Sequence, residues 1–397
     1  MTEDRQVWIV RCGEVALKGT NKPYFEKVLA SRIRLSLKDF HHVSVVRSEG
    51  LIFVRAPKDH STDQISASIA RVFGVDSVSP AMETDSELDA IGAAAVALMM
   101  EQIDRQGVRT FKVEAKRADK RFPIPSPEVE RIIGAKILVG CKVLSVNVHQ
   151  PDCKLYVDIR QDRSYVFVER IAGFGGLPRG TNGKGLSLLS GGIDSPVATF
   201  LMAKRGMIMD AVHFHSYPYT SERAQDKVLD LVRILTVYCG PIQVHSVNLL
   251  PIQQEILRHC PENEVTILTR RFMMMIAERI AVLTGCQMLI TGENMGQVAS
   301  QTVDSLVATD QAVQLPVMRP LIAMEKQDII NVARKIGTFE TSVKPFEDCC
   351  TVFLPKHPVT RPQLWEILQS EALLDVETLV DLAVESRETQ TISGEDL

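Results

Sequence analysis

Leu186-Ser187-Leu188-Leu189-Ser190-Gly191-Gly192-Ile193-Asp194-Ser195-Pro196-Val197-Ala198-Thr199-Phe200-Leu201-Met202-Ala203 decides the fold of the larger part of this 397-residue chain. The apolar run Leu186 to Leu189 reads as a short buried strand. A Ser-Gly-Gly turn follows at once. A helix then begins, with Ser195 expected as its N-cap and Pro196 at its first position. A strand, a glycine turn and a helix N-terminus together make an anion site. Backbone N–H groups point outward, the helix dipole adds positive potential, and glycine lets a phosphate approach closely. The spacing is not G-x-x-x-x-G-K-[ST], which excludes a Walker loop.

Downstream, strands and helices alternate: Ile208–Phe214, Glu222–Val237, Ile242–Val247, Val265–Leu283 and Met288–Thr291. That alternation predicts a parallel sheet with helices on both faces, a Rossmann-like α/β domain over residues 186–397. The acidic stretch from Gln363 onward carries a weak helical pattern and predicts terminal helices with a frayed tail. Upstream, residues 173–185 are glycine-rich and read as a linker or flexible loop. The order β-α-β-β-α over the first 75 residues suits a small ferredoxin-like α+β domain, taken as 1–64. A second segment, 65–172, holds a strand at Thr110–Ala115, a basic loop at Lys116–Arg121 and a helix from Ser126.

Hydrophobic residues at 45% and charged residues at 24% are ordinary for a globular protein, and the length predicts two or three domains. A net charge of −4 argues against a uniformly basic nucleic-acid binder but leaves room for a local patch. No apolar stretch approaches the roughly 18 residues of a membrane span, and the N-terminus lacks a signal-peptide pattern. A cytoplasmic location and no membrane partner are expected. The eight cysteines are scattered apart from Cys349-Cys350. No C-x-x-C occurs, which disfavours a zinc ribbon or iron–sulfur cluster, and no metal-ligand set is expected.

The S-G-G-x-D-S of Ser190–Ser195 resembles the PP-loop of ATP pyrophosphatases, which activate a substrate as its adenylate. Further stretches extend the resemblance nearly end to end, to the ThiI-type tRNA sulfurtransferases. Gly13-Glu14-Val15-Ala16-Leu17-Lys18-Gly19-Thr20-Asn21 is similar to that family's N-terminal G-E-x-x-L-K-G-x-N. Phe111-Lys112-Val113 with Lys116-Arg117-Ala118-Asp119-Lys120 is similar to its THUMP RNA-binding domain. Gly175-Gly176-Leu177-Pro178, Gly292-Glu293-Asn294-Met295-Gly296-Gln297-Val298-Ala299-Ser300-Gln301-Thr302 and Asp348-Cys349-Cys350 match as well. The resemblance implies a THUMP domain over 65–172 and a PP-loop catalytic domain over 186–397. It implies an enzyme that adenylates uridine 8 of tRNA with ATP and converts it to 4-thiouridine. Sulfur would come as a persulfide from a cysteine desulfurase. Longer members carry an added rhodanese domain, for which this chain ends too soon, so thiamine-pathway sulfur transfer is left open.

The residues carry this chemistry as follows. Ser190, Gly191, Gly192 and Ser195 should hold the β and γ phosphates of ATP. Asp194 is read as a Mg²⁺ ligand or as an orienter of the loop. Strand ends at the carboxyl edge of a parallel sheet suit nucleotide binding. The resemblance assigns nucleotide contacts to Leu188, Leu189, His213, Phe214, Arg270, Gly292 and Gln301. Arg270 and Arg271 are expected just before an apolar helix, one of them facing solvent. The resemblance places a catalytic cysteine at Cys349-Cys350 without choosing between the two. Between Arg109 and Arg121 stand six basic residues against two acidic ones. That patch, with Lys112, Lys116, Arg117, Lys120 and Arg121 as contacts, suits the phosphates of a folded RNA. The alternatives are another PP-loop enzyme such as a 2-thiouridylase, an amide-forming synthetase, or a non-catalytic RNA-binding protein. The expected partners are tRNA, a desulfurase and a second copy of the chain.

Overall fold

The structure, a computed structural model, describes residues 5–297, 301–346, 352–353, 355 and 357–394. The chain forms two compact units, Met1–Gly176 and Leu177–Leu397.

The first unit opens with β1 (Arg5–Cys12), α1 (Lys22–Ser36), β2 (Ser44–Ser48), β3 (Leu51–Pro57), α2 (Thr62–Ala70) and β4 (Val75–Thr84). These strands lie in the order β2-β3-β1-β4, each neighbour antiparallel. That is the ferredoxin-like arrangement. The alternation of β1 and β3 sends Trp8, Val10, Ile52 and Val54 to one face, where α1 supplies Leu29 and Ile33 and α2 supplies Ile65 and Ile69. The expected division at 64/65 therefore passes through α2, a helix packed on the first four strands.

The unit continues with α3 (Leu88–Gln106), β5 (Thr110–Arg117), α4 (Ser126–Gly140), β6 (Ser145–Val146), β7 (Cys153–Ile159), β8 (Ser164–Phe167) and β9 (Ile171–Ala172). β4 is long enough to pair with β1 along its first part and with β8 at its end, Met82 facing Val166. One nine-stranded sheet results. A second core, with Ile91, Phe111, Val129, Ile133, Leu155 and Val157, fills the space between α3, α4 and the sheet.

The second unit contains β10 (Lys184–Leu188), α5 (Asp194–Lys204), β11 (Ile208–His215), α6 (Glu222–Cys239), β12 (Ile242–Asn248), α7 (Leu250–His259), α8 (Val265–Thr284) and β13 (Leu289–Ile290). It closes with α9 (Val303–Asp310), β14 (Val317–Met318), α10 (Lys326–Ile336), α11 (Phe339–Ser342), α12 (Leu364–Glu371), α13 (Val376–Glu385) and β15 (Glu388–Ile392). The sheet order is β14-β13-β10-β11-β12-β15. The first five strands are parallel, as the alternation predicted. Leu186 of β10 packs with Phe272 and Ile276 of α8. Ser187 faces the other side, where its hydroxyl meets Thr199 of α5 at 2.7 Å.

Three expectations change. The described part of the tail, through Gly394, is not frayed: β15 adds antiparallel to β12, and Thr389 Oγ1 meets His245 Nδ1 at 3.0 Å. A polar strand buried at one residue shows no hydrophobic alternation, so only pairing reveals it. The glycine-rich stretch is not loose either. Gly173 and Gly175 bond to Asp76 and Val75, while the amides of Gly180, Thr181 and Asn182 all donate to Gly206 O. Finally, α5 begins at Asp194 rather than after Ser195, so Pro196 is its third residue.

Candidate functional site

Strand order locates the site. From β10 the chain steps to β11 and β12 on one side, then returns to β13 on the other. In parallel α/β sheets such a switch point, outside the carboxyl ends of the strands, is where a ligand crevice forms. Loop 189–193 comes from β10 and loop 291–297 from β13.

The β10 loop is built around Ser195. The Ser190 amide donates to Ser195 Oγ at 2.9 Å, and that hydroxyl lies 3.2 Å from Ser190 O. Ser195 thus closes the loop on itself instead of capping the helix. The Gly192 amide donates to Ser190 Oγ at 3.2 Å, and Ser342 Oγ donates to Gly192 O at 3.3 Å. The loop is held from inside by serine hydroxyls, and it ends on the first turn of α5, whose leading amides have no intrahelical acceptor. A braced glycine turn running into a helix N-terminus is an arrangement that can cradle an anion.

Gly292 brings the two loops together. A Cβ there would lie 2.7 Å from Ser195 N and 2.9 Å from Asp194 C. Only a residue without a side chain permits this approach. Asp194 sits at the same junction. Its Oδ1 pairs with Lys326 Nζ at 2.6 Å and its Oδ2 accepts from Gln297 Nε2 at 2.9 Å. Gln301 braces the β13 loop: its Oε1 accepts from Asn294 N at 3.3 Å and its carbonyl from Gly296 N at 3.0 Å.

Lys326 is a site residue that sequence reasoning missed. The signal was faint: it is the first residue of α10, where a cation opposes the helix dipole. A lysine in that place wants a nearby anion, and Asp194 supplies one. Glu293 is a second, since its motif position alone implies no role. It is 7% exposed and lies between the guanidiniums of Arg270 and Arg319, the latter at 2.7 Å, with Thr291 Oγ1 donating at 2.9 Å. Arg319 also pairs with Asp310. Cations and a hydroxyl here replace the water that a buried carboxylate gives up.

The expectation for the arginines is corrected. Both lie within α8, inside the helix expected at Val265–Leu283, and neither is exposed. Arg271 is 2% exposed and clamps Glu371 by two bonds of 2.6 and 2.9 Å, tying α8 to α12. Arg270 turns to Glu293 and stays at the crevice side of the helix.

His213 and Phe214 lie just before His215, which ends β11, one and two residues past the Leu188–Val212 pairing. The Leu189 amide donates to Val212 O at 2.8 Å, and His213 Nδ1 lies 3.1 Å from Leu189 O. Burial pushes His213 down to about 4, partly opposed by that carbonyl. The imidazole is therefore neutral near pH 7, with Nδ1–H donating to the strand end.

Cys349 and Cys350 lie outside the described residues. The six described cysteines, Cys12, Cys141, Cys153, Cys239, Cys260 and Cys286, are all free. Burial raises every one of them: Cys12 and Cys153 to about 11, Cys239 to about 12, and the rest in the same direction. None of these six is an activated thiolate.

The basic patch separates into two kinds of residue. Arg117 donates to the carbonyl of Phe122 at 2.7 Å and shapes its own loop. Arg121 pairs with Asp119 at 3.0 Å, and Lys112 shares Glu114 with Lys154. Lys116 and Lys120 are exposed. Of the five expected contacts, these two present their charge most openly.

Comparison with known proteins agrees with this anatomy. Residues 180–376 match the family described as Thiamine biosynthesis protein (ThiI), residues 7–79 the ThiI ferredoxin-like domain, and residues 85–169 the THUMP domain. A probable tRNA sulfurtransferase of Alkaliphilus metalliredigens is 54% identical over 390 residues, covering 98% of this chain and 99% of the relative. One from Acetivibrio thermocellus is 48% identical with the same coverage. The crystal structure of a 4-thiouridine synthetase–RNA complex with bound ATP is similar at a TM-score of 0.90 and 36% identity, over 98% of this chain and 100% of that one. PH1313 from Pyrococcus horikoshii Ot3 follows at 0.67 and 26%, over 84% of this chain and 99% of that one. With the same three modules in the same order along nearly its whole length, this chain belongs to the ThiI-type tRNA sulfurtransferase family.

Proposed function

We propose that this chain is an ATP-dependent tRNA sulfurtransferase that converts uridine 8 of tRNA to 4-thiouridine. The observation that carries the reading is the serine-braced Ser190–Ser195 cradle at the switch point of a parallel sheet, in a chain similar end to end to a 4-thiouridine synthetase.

The uracil O4 is a poor leaving group, so sulfur cannot displace it directly. Attack of O4 on the α-phosphorus of ATP makes an adenylate and releases pyrophosphate. The leading amides of α5, which the serine-braced turn aims at the crevice, neutralise the charge that gathers on the departing phosphates. Lys326 adds a positive charge at the same end, and its pairing with Asp194 keeps the ammonium oriented toward the cradle. Leu188, Leu189, His213 and Phe214 line the strand ends for the nucleoside. Arg270 shares Glu293 with Arg319 and can turn one side of its guanidinium to a bound anion. A hard cation would take the Asp194 oxygen that Gln297 Nε2 now meets, leaving Oδ1 to Lys326; Mg²⁺ so held would screen the β and γ phosphates.

The terminal sulfur of the carrier persulfide then bonds to C4 as AMP leaves. A second thiol attacks the carrier's inner sulfur, the S–S bond breaks toward the sulfur on C4 to release 4-thiouridine, and the disulfide left behind is reduced by an external dithiol. The raised thiols of the six described cysteines support Cys349-Cys350 as the carrier, charged by a cysteine desulfurase. Lys116 and Lys120 hold tRNA phosphates. A cytoplasmic location belongs to this reading, and sedimentation of the full chain reads the expected homodimer.

Nucleoside mass spectrometry of tRNA from cells lacking the chain tests the proposal. Loss of 4-thiouridine, restored by the wild type but not by Cys349→Ser with Cys350→Ser, is the expected result. Unchanged 4-thiouridine with loss of 2-thiouridine would move the chain to the 2-thiouridylase class.

A further inference from the structure

We propose that His41, Asp59 and His60 form a binding site for a divalent zinc-class cation on the first unit, apart from the nucleotide crevice. Two turns build it. The turn between α1 and β2 carries Phe40-His41-His42, and the turn between β3 and α2 carries Asp59-His60. β2 and β3 are antiparallel neighbours, so the entry to β2 and the exit from β3 lie at one end of the sheet.

The donor atoms converge. His41 Nε2 lies 3.2 Å from Asp59 Oδ2, and His60 Nε2 lies 4.0 Å from Asp59 Oδ1. One ligand atom from each of the three residues lies within 4.8 Å of the other two, an arrangement that no other three His, Cys, Asp or Glu side chains make among the described residues. Zinc bonds of about 2.0–2.2 Å in a tetrahedron hold neighbouring donors about 3.3 Å apart, so the three need only a small inward turn to share one ion. Two imidazoles and one carboxylate are a donor set for a borderline cation, not for Mg²⁺ or Ca²⁺, which take oxygen shells.

The two rings are also supported. The side chain of His60 is only 11% exposed. Phe40, itself packed against the first core, presses its ring edge-on to His60 at 5.4 Å. His41 and His60 stand with ring centroids 4.2 Å apart. His60 Nε2 lies 3.0 Å from His41 O, a carbonyl that can only accept, so in the metal-free chain this nitrogen carries the proton; a metal would bind it after that proton moves to Nδ1, and the carbonyl would turn to water. The side chains of His41 and Asp59 are 58% and 61% exposed, so ions enter freely and a fourth position stays open to water. Such an ion would pin the two turns together at the rim of the first domain.

The test uses the full chain, stripped with chelator and with its thiols alkylated. Zn²⁺ is titrated calorimetrically and Co²⁺ spectroscopically. One equivalent should bind, with the d–d bands of a tetrahedral nitrogen and oxygen site and no thiolate charge-transfer band. His41→Ala and His60→Ala should each weaken binding by about tenfold or more. Zinc should raise the melting temperature of the wild type but not of the double variant, while metal-free wild type and variant melt alike. No binding by the alkylated wild type, or equal binding by His41→Ala/His60→Ala, would overturn the proposal and leave a surface ion pair only.

Discussion

Replacing Gly292 by alanine puts the crevice geometry to its hardest test. The added Cβ would sit 2.7 Å from Ser195 N and 2.9 Å from Asp194 C, where ordinary contact starts near 3.4 Å. Both obstacles are backbone, so no side chain can swing aside. The β13 loop and the start of α5 must part by about 0.7 Å, which moves the cradle relative to Lys326 and Gln297 and, as overpacking, costs about 1–3 kcal/mol of stability. A misplacement approaching 1 Å can cost about 100-fold in rate, equivalent to about 2.7 kcal/mol of barrier. Gly185→Ala is the matched control. Its Cβ would meet Ile290 Cδ1 at 2.5 Å and Met207 Cε at 2.8 Å, the movable ends of side chains, at the amino end of β10. Both variants should melt at lower temperature. Pyrophosphate release from ATP, measured with tRNA below both transitions, should fall about 100-fold for Gly292→Ala and stay near wild type for Gly185→Ala. Equal rates for Gly292→Ala and wild type would refute the idea that this glycine sets the position of the phosphate loop.

Lys326→Met should slow pyrophosphate release at least tenfold and leave tRNA affinity unchanged, because it removes the cation facing Asp194; a filter-binding assay run beside the kinetics separates the two. Charge reversal at Lys116 and Lys120 should weaken tRNA binding and reduce the slope of log affinity against log salt by about 2, one unit for each lysine that no longer meets a phosphate. An unaltered slope would place the RNA surface elsewhere. His213 titrates at about 4 in the folded chain, against about 6.5 for a solvated imidazole. Between these pH values the unfolded chain binds the extra proton, so stability is full above about 6.5 and falls as pH drops toward 4, by about 3 kcal/mol in all. Denaturant titrations at pH 7 and pH 5 should show a smaller acid loss for His213→Phe than for wild type.

The local pattern of the chain was enough for its modules. Leu186 to Leu189 is apolar apart from Ser187, and Ser190-Gly191-Gly192 turns sharply, so strand, loop and helix follow from neighbours in sequence. The alternation after Ile208 likewise dictates a parallel sheet, since parallel strands need crossovers. The same locality explains the failures. The helix starts at Asp194 because Ser195 bonds back to Ser190, a choice between two caps that composition cannot make. β15 carries no apolar stripe and exists through its pairing with β12. Asp194 finds Lys326 across 132 residues and Gln297 across 103, and Arg271 finds Glu371 across 100. A charge has no period and no preferred sequence distance, so its partner is set by packing. Most elements, their order and the strand–glycine turn–helix at 186–203 were legible from the chain because they depend on side-chain pattern within a few residues. Which cation answers which carboxylate, which lysines stay exposed and which histidines meet an aspartate were settled when folding brought distant backbone together.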